Sequence, residues 1–445
     1  MKKNHQIIIA ISVFLILSLM GCEGFLDEKP TKDIVVPNSL DALEAILDNH
    51  ADLNRGLTLP LICADDYVTT LAGLAVYTPQ WQRNAYLWQE SPFSPDETVS
   101  EWSWPYKQVF YANVVLDELE RIQDKDAPRE AAIRGAAYFF RAWGYYNLSQ
   151  VFLPGYSSPL SANEDYSIPM KQVPGIEVPF TMGTVNEVYE QILDDLAMAM
   201  ELLPETSQYP TRPTKLMVKS LLARIYLSME EYELALFYAD QALQYPHSLM
   251  DYNEIENQIN PFAQFNEEVI FHAVMLQYTL NVVPTTLIEP TLYGSYAVDD
   301  LRKDLFFTIR ANGNVNFTGS YAGNFETFCG LAFNEIYLIS SESKARLGDI
   351  QGAIADLNTL LIKRHLPGFE VFETSEIDVL LGKIIDERRK ELVFRGLRWS
   401  DLRRINLDER FQKVLKREID GVEYTLDPNS SRYIFPIPPR EQAFN

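Results

Sequence analysis

The sequence predicts a mainly α-helical protein, in which helical hairpins of the tetratricopeptide type form a scaffold and long irregular segments supply a ligand-binding part. Three observations carry this. Residues 40–53, 99–121, 129–151, 185–203, 216–229, 232–245, 333–347, 350–361 and 377–394 repeat their apolar positions at a spacing near 3.6 rather than 2. Residues 215–246, "KLMVKSLLARIYLSMEEYELALFYADQALQYP", place small side chains where two antiparallel helices must approach closely. Between the helices lie 54–98, 154–182 and 246–330. Loops of that length belong in a compact domain only when they form a binding surface or hold short strands of their own.

Taken in order, the chain starts with Lys2 and Lys3, then an apolar run from Ile7 to Leu19 broken only by Ser12 and Ser18. A spanning helix needs ~20 apolar residues, so this run reads as a secretory signal over 1–21. It ends in "LMGC", which resembles the lipobox of bacterial lipoproteins: cleavage would leave Cys22 N-terminal and lipidated, with Met20 bulkier than usual there. The alternative is an ordinary signal peptide with an incidental cysteine. Each buried methylene of a lipid chain contributes ~0.8 kcal/mol, and more than one chain holds lastingly. Residues 22–39 are polar, contain two prolines and read as a tether.

The formal net charge is −24, and becomes −26 once Lys2 and Lys3 are removed with the signal. That acidity argues against nucleic acid and against adsorption to anionic lipid through a basic patch. Besides Cys22, only Cys63 and Cys329 remain; a disulfide between them is open, but one pair is no disulfide framework. His50, His247, His272 and His365 show no metal-site spacing, and no cofactor motif occurs, so neither metal nor cofactor is expected. The remaining chain divides into an N-terminal region, 40–210, and a C-terminal region, 211–445, expected to form one globular unit.

In the 215–246 pair, Ala223, Tyr226, Ala235, Ala239 and Ala242 take the small and aromatic positions of a tetratricopeptide repeat, with Leu222 and Tyr226 filling the groove. A second pair spans 333–361, turning at Gly348–Asp349 and packing on Ala353. A third, interrupted pair joins 135–152 to 185–203. Three such pairs can stack into a curved scaffold. The densest motif is "IIDERRKELVFRGLRWSDLRRINL", 384–407. Glu391 and Arg395 stand at i, i+4, Gly396 offers a stop, Ser400 or Asp401 can cap the next helix, and Phe394 and Trp399 can pack in the elbow. Alternating charge on an apolar period reads as an ion-pair latch across a helical corner rather than an active site.

Within it, "ERRKELVFRGLRWSDLRR" resembles the C-terminal signature of the SusD/RagB family. Glu387, Arg388, Glu391, Leu392, Phe394, Gly396, Arg398, Trp399, Asp401, Leu402 and Arg404 match, and Arg395 departs where the family usually has Glu. "YIFPIPPREQAFN", "CEGFLDEKPT", "WPYKQVFYANVVLDEL", "VDDLRKD" and "LISSESKARLGD" are similar to further family segments, so the resemblance covers nearly the whole mature chain. It implies a SusD-like fold on a tetratricopeptide scaffold. It also implies a surface-exposed, lipid-anchored outer-membrane location, a SusC-like TonB-dependent barrel as partner, and capture of oligosaccharides, or in some members peptides, for import.

Sugar rings present flat C–H faces that aromatic side chains match, while polar neighbours read the hydroxyls. "YTPQWQRNAYLWQESPFSP" lacks periodicity and interleaves Trp81, Tyr86 and Trp88 with Gln82, Arg83 and Asn84, so Trp81, Arg83, Tyr86 and Trp88 are candidate ligand contacts. These rings could instead fill the loop's own small core. Tyr293 and Tyr296 in "EPTLYGSYAVDDLR", with Tyr321 and Asn324 in "NVNFTGSYAGNFETF", form a second candidate set; Trp102 and Trp104 are assigned to core, and Asp299 with Arg302 to a fold-holding pair. Two rivals stand beside glycan capture. One is hydrolysis by paired carboxylates, for which Asp65–Asp66 and Asp299–Asp300 are the available pairs. The other is a repeat scaffold that holds a protein and no small ligand.

Overall fold

The helical periodicities become helices that pack on one another. The computed structural model describes residues 37–122, 126–175 and 180–442, so the signal segment, Cys22 and nearly all of the tether lie outside the described residues. The principal helices are α1 (Leu40–Leu47), α2 (Leu59–Cys63), α3 (Trp81–Tyr86), α4 (Ser100–Leu119), α5 (Ala127–Phe152), α6 (Val185–Leu202), α7 (Lys215–Ser228), α8 (Tyr232–Leu243), α9 (Phe333–Arg346), α10 (Ile350–Leu361), α11 (Ile377–Glu391) and α12 (Arg398–Ile405). From α4 to α10 consecutive helices pack on one another, and α11 packs on α9.

The starts are set by local chemistry. Thr184 and Glu187 form a reciprocal capping box at α6, Thr214 accepts from Met217 N at α7, and Asp349 accepts from Gly352 N at α10. Gly348, with φ +89°, makes the turn ahead of Asp349. The helix expected over 40–53 breaks after α1 and restarts at His50. Asn49 leaves the helical region and its amide donates to Asp52 at 2.9 Å, a local bond that competes with the helix ladder. Ala223, Ala235, Ala239, Ala242 and Ala353 are all buried, as close helix approach requires, and Tyr226 is half-buried, stacked on Tyr238 at 5.6 Å.

The irregular stretches hold short strands that pair two by two among the described residues. β1 (Arg55–Gly56) runs parallel to β6 (Val274–Met275), and β2 (Tyr67–Val68) is antiparallel to β7 (Leu287–Ile288). β3 (Ser167–Met170) is antiparallel to β4 (Thr181–Thr184), β5 (Val269–Phe271) is antiparallel to residues 331–332, and near the C-terminus β11 (Leu415–Ile419) is antiparallel to β12 (Val422–Leu426). β8 (Phe307–Ile309) and β9 (Val315–Phe317) form a hairpin with Phe307 opposite Phe317. These pairings stitch 55–68 to 274–288 and carry the loops of 281–327 on a packed base. No helix among the described residues is long and apolar enough to cross a membrane.

The C-terminal motif is a latch, with partners other than the sequence spacing suggests. Arg388 on α11 donates to Asp401 on α12 at 2.9 Å, Arg404 donates to Asp401 at 2.9 Å, and Arg404 also reaches Glu342 on α9 at 2.8 Å. Burial alone would raise the carboxyl of Asp401, yet Arg388 and Arg404 hold it below the usual range. Asp401 therefore caps nothing. Ser400 donates to Gln150 and does not cap α12 either, whose start has no side-chain cap. The expected Glu391–Arg395 pair is not made. Glu391 is taken by Arg302 at 3.1 Å, Arg364 at 2.9 Å and the Asn334 amide at 2.8 Å, while Arg395 donates to Asn334 and lies 4.2 Å over the Tyr321 ring. Arg302 pairs with Asp300 at 2.7 Å, not with Asp299, whose carbonyl accepts from Leu366 N. Trp399 is buried, stacked on Tyr433 at 4.6 Å, and Phe394 stacks on Phe317 at 4.8 Å. Gly396, with φ +73°, ends the corner.

Cys63 and Cys329 are both buried and unpaired, so no disulfide joins them. Burial pushes the Cys329 thiol up to about 12 and that of Cys63 higher still, although Arg224 and Arg417 respectively act to lower them.

Candidate functional site

The loops between β6 and β10 (Leu331–Ala332) enclose a cleft of about 350 Å³. Its floor is the Phe317–Phe394 stack, set by β9 on one side and by the corner after α11 on the other. Phe394 takes φ +62°, an uncommon conformation for a phenylalanine, and its ring closes the bottom of the cleft.

One wall is residues 281–286. The Asn316 amide donates to the carbonyls of Pro284 at 3.1 Å and Thr286 at 2.7 Å, and the Thr286 hydroxyl donates to Leu280 O at 2.7 Å. Asn281 accepts from Tyr278 N and donates to Thr327 at 3.1 Å, tying this wall to the one opposite. The second wall is the loop 320–327. The Ser320 hydroxyl donates to Glu326 O at 2.6 Å and accepts from the N–H groups of Ala322 and Phe328. Asn324 accepts from Glu326 N at 2.7 Å and donates to the Glu326 carboxylate, which Arg55 meets at 2.9 Å. At Gly323, φ is +74° and a Cβ would lie 2.4 Å from Gln264 N, so the loop requires glycine there.

A loop held this firmly presents its tip rather than folding it away. Phe325 is 73% exposed at that tip, with exposed Ile259 and Val282 elsewhere on the rim. An aromatic face beside amide and carboxylate groups on a rigid base can stack a flat apolar ring and hydrogen-bond its substituents.

Of the residues expected to contact ligand, Asn324 lines this cleft. Tyr321 does not: it is 1% exposed beneath the cleft, its hydroxyl donating to Glu268 at 2.9 Å and bonded to the Tyr252 hydroxyl at 2.7 Å. Tyr296 is buried, donating to Lys390 O at 2.9 Å, and Tyr293 is half-buried with the Lys303 ammonium 5.0 Å over its ring. The Trp81–Tyr86–Trp88 platform is core. Trp81 is 0% exposed and packs edge-on against Tyr278 at 5.3 Å; Tyr86 lies 3.7 Å under the Arg417 guanidinium; Trp88 donates to Cys63 O at 3.0 Å. Arg83 is half-buried, and its Nε has no hydrogen-bond partner among the described residues. Buried rings cannot offer a face to ligand, so these positions hold the loop and do not form the surface. Phe325 was missed. The signal available was an aromatic residue between a turn-forming Gly-Asn pair and Glu326, a context that favours a loop tip.

In each carboxylate pair considered for hydrolysis, at least one member is held in an ion pair. Asp65 meets Arg398 at 2.8 Å and Lys413 at 2.7 Å, Asp66 meets Arg389 at 3.1 Å, and Asp300 meets Arg302. Burial would raise the carboxyl of Asp65, and Arg398 and Arg389 hold it well below the usual range.

Comparison with known proteins adds the following. A SusD-like family model described as "Starch-binding associating with outer membrane" matches residues 24–227, and one described as "SusD family" matches residues 331–445. SusD-like protein P2 of Formosa agariphila is 28% identical over 238 residues, covering 50% of this chain and 43% of its own length. SusD-like protein P25 of the same organism is 22% identical over 289 residues, 59% of this chain and 50% of its own length. The matched stretches thus span half or less of these relatives. Among solved structures, a SusD-like carbohydrate binding protein from Bacteroides vulgatus has a TM-score of 0.70 at 19% identity, covering 92% of this chain and 97% of its own. A laminarin binding SusD-like protein has a TM-score of 0.63 at 20% identity, covering 91% and 96%.

Proposed function

Because the chain belongs to the SusD/RagB family, we propose that it is a cell-surface glycan-binding protein whose ligand lies in the cleft between residues 281–286 and 320–327. The observation that carries this is the exposed Phe325 ring, held on a hydrogen-bonded loop beside Asn324 and Glu326. The ring supplies the apolar face and the amide and carboxylate supply hydroxyl contacts. Support for a glycan comes also from the carbohydrate-binding and laminarin-binding descriptions of the structural neighbours.

The protein binds and does not cut. Support lies in the ion pairs that occupy Asp65, Asp66 and Asp300. Lipidation at Cys22, anchorage in the outer membrane, delivery to a SusC-like TonB-dependent barrel, and division into 40–210 and 211–445 within one unit are further parts of the proposal. They rest on the lipobox and the family, and co-purification of a barrel with the acylated chain tests the partner.

The ligand test is retardation in gels containing laminarin or other glycans. Phe325→Ala is expected to weaken binding by ~1–3 kcal/mol, the range for a large side chain removed from apolar contact. Unchanged retardation in that variant would refute the site. Retention of peptides but no glycan would favour the peptide-capturing alternative.

A further inference from the structure

Arg310 stands just after β8 and lines the same cleft. Its N–H donates to Asn314 O at 2.8 Å and its Nε to the Asn316 side chain, which fixes the base of the guanidinium. Its two terminal nitrogens make no hydrogen bond, and no carboxylate lies within ion-pair distance among the described residues. The chain is formally −24, and guanidinium groups elsewhere are commonly paired, as Arg302, Arg364, Arg388 and Arg398 are. Among the described residues the one carboxylate lining the cleft, Glu326, is met by Arg55. The cleft lining thus carries one carboxylate, which Arg55 neutralises from outside the lining, and one guanidinium, Arg310, which has no acidic partner among the described residues.

An arginine held this way offers a planar fork of donors that fits an oxyanion in two-point fashion, a geometry that a neutral hydroxyl pair matches less strongly. Resting on the glycan-binding reading of the cleft, we infer that its ligand is a glycan bearing an oxyanion substituent, a uronate carboxylate or a sulfate ester, which Arg310 selects. Phe325 stacks the sugar ring while Arg310 holds the charged group. Arg310 is exposed to solvent, so the attraction weakens as salt screens it.

The test is calorimetric titration of matched pairs: a uronate oligosaccharide against its carboxyl-reduced form, and a sulfated oligosaccharide against its desulfated form. The acidic member of one pair is expected to bind ~10-fold or more tightly than its neutral counterpart, as a charged hydrogen-bonded contact warrants. Which pair shows the difference tells carboxylate from sulfate. Arg310→Gln brings that ratio close to one, Arg310→Lys retains part of it, and added salt lowers it in the unmodified protein. The inference is overturned if no acidic member is preferred, or if the preference survives Arg310→Gln. Phe325→Ala separates the two layers. If it weakens acidic and neutral ligands alike while Arg310→Gln leaves the ratio intact, only the charge inference falls. If it changes nothing, or if peptides alone bind, the cleft reading falls as well.

Discussion

Replacing Glu101 with glutamine should stabilise the protein, and by an amount that depends on pH in a defined sense. Glu101 lies in the first turn of α4 with its side chain 0% exposed. One oxygen accepts the N–H groups of Thr58 at 3.0 Å and Leu59 at 2.9 Å, which opens α2. Burial pushes the carboxyl up to about 7 from an ordinary 4.5, with the Leu59 N–H, the Tyr278 hydroxyl and the Thr58 N–H offsetting part of the rise. The folded chain therefore keeps a proton that the unfolded chain gives up. The stability this contributes is full below 4.5 and is lost as pH rises through 7. A displacement of that size corresponds to about 3 kcal/mol, of which about 2 kcal/mol falls between pH 5.5 and 8. Glutamine keeps an acceptor for both N–H groups and has no charge to desolvate. Urea unfolding followed by tryptophan fluorescence should show the Glu101→Gln variant gaining about 2 kcal/mol on the unmodified protein between those pH values. A gap that is the same at both, or that narrows toward pH 8, would refute the reasoning.

Three further outcomes follow from the packing. Trp81→Ala empties a fully buried site against Tyr278 and Phe93, so it should cost ~3–5 kcal/mol of stability in urea unfolding rather than act on ligand affinity alone. Asp401→Asn removes the charge shared by Arg388 and Arg404 and should cost ~3–5 kcal/mol, read the same way; a change within measurement error would contradict the latch. Cys63 and Cys329 should resist a thiol reagent until the chain is unfolded, and peptide mapping should find no bridge between them.

The scaffold was legible because a helix that buries one face must repeat its apolar residues, and the alanines of α7, α8 and α10 sit where two helices touch. Local competition was harder to see: Asn49 bonding Asp52 breaks a pattern that looks continuous. The latch was legible as a charge pattern, but its pairing was not. Glu391 finds Arg364, Asn334 and Arg302, which stand 27, 57 and 89 positions away, ahead of the neighbour four residues on. The candidate site failed for the same reason. The segment around Trp81 lacks periodicity because it is a folded loop, and Arg417 from the C-terminal strand pair closes over Tyr86 and Trp88 while donating to the Ile62 carbonyl at 3.1 Å. Nothing near Trp88 in the sequence announces that arginine. Asn324 was named because the family resemblance places ligand contacts broadly in its segment; the exposed ring next to it, Phe325, lines the cleft beside it.

The most direct measurement is a crystal structure with a glycan oligosaccharide bound. Sugar density against the Phe325 ring, with hydroxyls toward Asn324 and Glu326, is the predicted result. Density confined to another depression, such as the one beside Tyr166 and Phe435, with the Phe325 cleft unoccupied, would contradict the central claim.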